Sequence, residues 1–161
     1  MKKLAFTLTT LFLLLTTFVA CNKEEENPGI PFTKFSLSGT SCEWIRMELR
    51  EEDLPLPISE LIIINSDEEL RNHIACVVTD GEYTLPVIDF SRYTLLLARG
   101  KTGAIQRMHI ALHQLSPQNY VMNVALYTPF FIGSPKYWHV AIIINKLEKG
   151  DSVKLNIIET P

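Results

Sequence analysis

The sequence predicts a mainly β domain of the α+β kind, an antiparallel β meander or partly closed barrel carrying one short helix. Three observations lead there. Between residues 93 and 159 apolar and polar residues alternate in stretches of strand length; clusters of Gly, Pro, Asn and Asp separate those stretches; and one segment alone has the chemistry of a helix start.

The first part of the domain is the least regular. Phe35, Leu37, Trp44, Ile45, Met47 and Leu49 stand among polar residues, and residues 44–49 read as a strand. The acidic run 51–53 and the prolines Pro55 and Pro57 then interrupt any ladder, because proline has no N–H to donate. Residues 60–65 are a short β-branched run of strand length. Ser66 stands three residues before Glu69, the spacing of a capping box, with Asp67 and Glu68 suited to the positive end of a helix. That predicts a helix over roughly residues 67–76 with Leu70 and Ile74 on one face. Residues 79–82 read as a turn. Five strands are expected after it, over 93–99, 104–114, 119–127, 137–147 and 152–159. Met108, Ile110 and Leu112 alternate with Arg107, His109 and His113, and Tyr120, Met122, Val124 and Leu126 repeat the pattern. Turn chemistry falls at 100–103, 116–119, 133–135 and 149–151. Consecutive strands with short turns imply a meander, with the helix covering one face or an open end.

Ahead of the domain stands a segment of another kind. Lys2 and Lys3 precede a stretch from Leu4 to Ala20 that is apolar apart from five threonines, the layout of a secretory signal peptide rather than a membrane-spanning helix. Phe18-Val19-Ala20-Cys21 resembles the lipobox of bacterial lipoproteins, with Phe18 where leucine is usual. The resemblance implies cleavage before Cys21 and acylation of that cysteine, and two or three acyl chains meet the requirement for stable anchoring. Residues 22–31 are charged and then rich in Pro and Gly, as expected of a solvated tether. The organisation expected is therefore a signal peptide over 1–20, a tether over 21–31 and one domain over 32–161. Lys23 followed by Glu24, Glu25 and Glu26 resembles the export signal of surface lipoproteins in Bacteroidota, which implies a domain outside the outer membrane; the periplasmic face of that membrane is the alternative.

Without residues 1–20 the chain keeps 13 basic against 18 acidic residues, a formal charge of −5. Nucleic acid is excluded as a partner on that balance, since phosphate binding needs a basic surface. Once Cys21 carries lipid, Cys42 and Cys76 remain as an even pair. In an oxidising compartment a disulfide is the first expectation; two buried thiols, or a nucleophile beside a histidine, are the others.

No reaction is legible. His109 and His113 lie four residues apart on one strand, roughly 13 Å at about 3.3 Å per residue, too far to share a metal. His73 and His139 belong to other elements, and no metal-binding spacing occurs. Lys101-Thr102-Gly103 matches the KTG triplet of penicillin-binding proteins, but no serine is followed three positions later by the required lysine. Nucleotide, dinucleotide and hydrolase-elbow fingerprints are missing, so neither a catalytic residue nor a cofactor is assigned. Glu82 and Asp89, in a turn-rich segment, read as solvated carboxylates rather than a glycosidase pair.

Recognition is what remains. Tyr127, Phe130, Phe131, Tyr137 and Trp138 surround a loop between two strands, and aromatic loop residues are favoured binding anchors unless they close the end of the core. Ile88-Asp89-Phe90-Ser91-Arg92-Tyr93-Thr94-Leu95-Leu96-Leu97, the Thr102-Gly103 step and Trp138-His139-Val140-Ala141-Ile142-Ile143 together resemble a pattern in small Bacteroidota lipoproteins of uncharacterised function. More distantly they are similar to the C-terminal domain of protease-complex regulator proteins, although Ala104 replaces a glycine of that pattern. The resemblance implies a non-enzymatic β domain that binds or inhibits a protease. Lys101, Thr102, Gly103, Phe130, Phe131, Tyr137 and Trp138 are the candidate partner contacts, the partner being a secreted or envelope protease or another envelope protein. The competing expectation is a ligand-binding or structural component of a cell-surface assembly. Exposed tryptophans beside a concave sheet would favour it, buried ones the inhibitor.

Overall fold

A computed structural model describes residues 29–45, 58–77, 85–103, 105–127 and 136–160. The signal peptide, Cys21, most of the tether, the turn at 79–82, Phe130 and Phe131 lie outside them.

The order of elements is β1 (Thr33–Phe35), β2 (Cys42–Trp44), β3 (Ile58–Ile64), α1 (Asp67–Arg71), β4 (Ile74–Cys76), β5 (Tyr93–Thr102), β6 (Arg107–Ser116), β7 (Asn119–Tyr127), β8 (Lys136–Asn145) and β9 (Ser152–Thr160). The chain is mainly β with one short helix, and no sheet closes into a barrel. A central antiparallel sheet has the order β1-β8-β5-β3, a second sheet the order β6-β7-β9, and β2 pairs β4 as a ribbon. The meander connection holds only for the β6–β7 hairpin. β8 leaves β7 to pair with β5 in the facing sheet, and β9 returns to lie parallel to β7. A parallel neighbour needs such a crossover, and here a strand of the other sheet supplies it.

Three layers result, because the central sheet is covered on both faces. Leu96, Ala98, Trp138, Ile142 and Ile144 pack against Ile110, Leu112, Met122, Val124 and Leu126 of the second sheet. From the opposite face Leu95, Leu97 and Ala141 meet Phe35, Leu37, Trp44, Leu70, Ile74 and Ile88. Double coverage explains the unbroken apolar run from Leu95 to Ala98, every residue of which is fully buried.

Of the strand expected over 44–49 only Trp44 lies in β2, and residues 46–49 fall outside the described residues. Two further expected elements change. The helix is five residues long rather than ten: Ser66 caps it, its Oγ accepting from Glu69 N–H at 3.1 Å, but Ile74 leaves as a strand opposite Trp44. One capped turn is weakly stable alone, and the β-branched Ile74 gains more by pairing in the ribbon. The expected turn at 100–103 is mostly strand, with residues 100–102 paired to 136–138. Gly100 serves that ladder by its lack of a side chain. A Cβ there would stand 2.4 Å from the Ile58 carbonyl oxygen and 2.7 Å from the Trp138 ring.

Cys42 and Cys76 face each other across the ribbon and form a disulfide, with Cα atoms 4.0 Å apart. At the other end of the central sheet buried Thr94 donates to Asn65 Oδ1 at 2.7 Å and accepts from Leu147 N–H at 3.1 Å. Lys146 Nζ donates to the same Asn65 oxygen at 3.0 Å, so a buried hydroxyl is satisfied and three chain segments are pinned together.

Candidate partner-binding site

The candidate contacts come from two places in the sequence, and the β5–β8 ladder brings several of them to one end of the central sheet. Lys101 pairs with Tyr137 and Thr102 with Lys136. The Lys101 ammonium stands 5.2 Å from the centre of the Tyr137 ring, a cation–π contact that restrains both side chains. Tyr137 is 44% exposed, and Gly103 lies exposed where the ladder ends.

Thr102 and Trp138 point the other way. Side chains alternate along a strand, so the neighbours of Lys101 and Tyr137 face the second sheet. The Thr102 hydroxyl donates to the Glu159 carboxylate, and Trp138 packs over Gly100 with only 5% of its surface exposed. Both were expected to touch a partner; both side chains instead hold the two sheets together. Among the described residues the Trp138 indole N–H is a buried donor with no acceptor.

Other residues complete the exposed end. Ile45, 41% exposed, shares with Tyr137 a dimple of about 30 Å³ that Trp44, Arg99 and His139 also line. Arg99 sets its geometry: Nε donates to the Glu60 carboxylate and Nη1 to the Ile45 carbonyl at 2.6 Å, which fastens the end of β2 to the sheet. Behind Ile45 the Trp44 ring lies 6.3 Å from His139 and meets Phe35 edge-on at 5.9 Å. Partial desolvation on the side next to Trp44 lowers the pKa of the His139 imidazole below its ordinary 6.5, although the residue as a whole stays exposed. His73 is also lowered, first by burial and then by the Arg99 charge, against opposing pulls from Glu60 and Glu69.

The arrangement leaves two partly exposed side chains, Tyr137 and Ile45, held in place by strand pairing and by Arg99, with a lysine beside them. Both sulfurs of Cys42 and Cys76 are held in the disulfide, and among the described residues no three His, Cys, Asp or Glu side chains converge as metal ligands. Sequence reasoning missed Ile45, Arg99, Glu60 and His139. Alternation in β8 could have placed His139 beside Tyr137 and opposite Trp138. Nothing in the sequence links Glu60 to Arg99, 39 positions away, before the β3–β5 register is known.

Compared with known proteins, the chain matches no family model, no curated protein and no solved structure.

Proposed function

We propose that this chain is an outer-membrane lipoprotein whose β domain binds another protein through the end of the central sheet carrying Tyr137, Ile45 and Lys101, and so restrains a secreted or envelope protease. The observation that carries the reading is the β5–β8 ladder, which stays paired as far as Thr102 and Lys136 and holds the partly exposed Tyr137 near its end, with Ile45 fastened to the sheet beside it by Arg99. Anchors fixed before binding lose little entropy on association, a property that an inhibitor inserted into a protease cleft requires. Both tryptophans are buried, which supports this reading over glycan capture on a concave sheet.

Acylation of Cys21 would set the domain's reach. Ile30 N–H donates to the Leu112 carbonyl at 2.7 Å, so the chain joins the domain beside β6. The eight residues 22–29 span at most about 28 Å at roughly 3.5 Å each, which keeps the domain close to the lipid surface.

The test uses the protein from Asn22 onward without lipid, mixed with the proteases secreted by its own host. Binding accompanied by slowed proteolysis is expected, with a loss of at least about tenfold in Tyr137→Ala, the scale of an aromatic anchor. Failure to bind or slow any of those proteases would sink the inhibitor reading.

A further inference from the structure

The exposed end continues into a groove along one edge of the central sheet, and the backbone of that edge is the notable feature. β5 pairs with β8 along all ten of its residues, from Asn145 to Lys136. On the other side β1 covers only residues 141–143. Across residues 136–140 the backbone groups aimed away from β5 face no strand among the described residues, leaving a template for another chain. Among the described residues the segment after β1 does not continue along this edge. After Phe35 it turns away, with Ser38 N–H donating to Ser36 Oγ at 3.0 Å and Thr40 Oγ1 to the Leu37 carbonyl at 2.7 Å.

Between residues 36–38 and β8 opens a groove of about 460 Å³, with Phe35, Trp44 and Ala141 among its apolar lining and His139 also lining it. The charges around it are unbalanced in a chain that is acidic overall. Lys34 lines the groove and Lys136 stands exposed at the start of the stretch that β1 does not cover, with Lys101 one strand away; Glu43 is the one carboxylate among the lining residues. The Arg99 charge is already matched by Glu60.

We propose that this groove takes an extended acidic segment of the partner protein, added antiparallel to residues 136–140 of β8 as a further strand of the central sheet. The inference rests on the protein-binding reading above and names the form of the partner. Backbone hydrogen bonds supply adhesion, alternate side chains of the added strand meet the Trp44 and Phe35 rings, and the carboxylates face Lys34 and Lys136.

Four peptides of six residues test it against the lipid-free domain: alternating Glu-Val, alternating Lys-Val, Glu-Val with alternate amides N-methylated on one edge, and the same methylated on the other. Binding is read by fluorescence anisotropy, and the site by amide hydrogen exchange. The Glu-Val peptide should bind and slow exchange at residues 136–140. Binding should weaken about tenfold or more for the Lys-Val peptide, for at least one methylated peptide, and for the protein carrying Lys34→Glu with Lys136→Glu, and it should weaken with added salt. The added strand is overturned if no peptide binds, if both methylated peptides bind as well as the parent, or if protection appears away from β8. A protease that binds through Tyr137 while exchange at 136–140 stays unchanged overturns the added strand and leaves the protein-binding reading standing.

Discussion

Gly100 shows how a single residue decides the packing of this molecule. Followed by Lys101, Thr102 and Gly103, it reads in the sequence as part of a turn, yet it lies within a strand, where its lack of a side chain leaves room for the Trp138 ring and the Ile58 carbonyl. Gly100→Ala should cost about 1–3 kcal/mol in urea unfolding, the usual cost of overfilling a packed site; an unchanged midpoint would show that Trp138 and β3 yield freely. The histidines act through protons. His73 and His139 both have pKa values lowered below 6.5, so the unfolded chain takes up protons first as pH falls. Their contribution to stability is complete above 6.5 and is lost as pH falls through the lower, folded-state values. Urea midpoints measured across that range should fall with pH in the wild type and fall less steeply in His139→Gln. Asp89 adds a second loss at lower pH, since hydrogen bonds from the Ser91 hydroxyl and backbone hold its pKa below 3.8.

Elements were legible in the sequence wherever one face met a core and the other met solvent. β7 begins and ends where alternation places it, at Asn119 and Tyr127, because Met122, Val124 and Leu126 point inward and their neighbours outward. The helix was legible at its start only, since capping is local chemistry, whereas its end depends on Ile74 pairing with Trp44 from thirty positions earlier. The ribbon of β2 and β4 is two three-residue strands, too short to stand alone, and the Cys42–Cys76 disulfide closes a loop of 34 residues at that point. Replacing both cysteines with serine should cost about 3–4 kcal/mol by the chain-entropy relation. Because Ile45 is tied to the end of this ribbon, the same variant should also weaken partner binding, measurable with the folded fraction at low temperature. Equal stability and equal affinity would mean that Trp44 and Ile74 hold the ribbon without the bond.

At the scale of the whole molecule, mainly β composition was legible and the layering was not. Alternation specifies that a strand has an inside and an outside, but not which sheet it joins. Short turns suggested that neighbours in sequence pair, whereas β8 crosses to the central sheet and β9 returns parallel to β7. That exchange carries the consequence for the site. It sets β8 beside β5, so Tyr137 meets Lys101 and residues 136–138 share one end of the domain with 100–102, while alternation turns Thr102 and Trp138 into the core between the sheets. A partner engaging this molecule should therefore be sensitive to one end of the sheet and indifferent to the other, where Lys149 is exposed in the turn before β9. Site-specific photo-crosslinking of the full-length chain in its own host tests this most directly, with a benzophenone side chain placed in turn at Tyr137, Lys101 and Lys149. The account predicts a discrete protein adduct from Tyr137 and Lys101 and none from Lys149. No adduct at the first two positions, or the same adduct from all three, would contradict it.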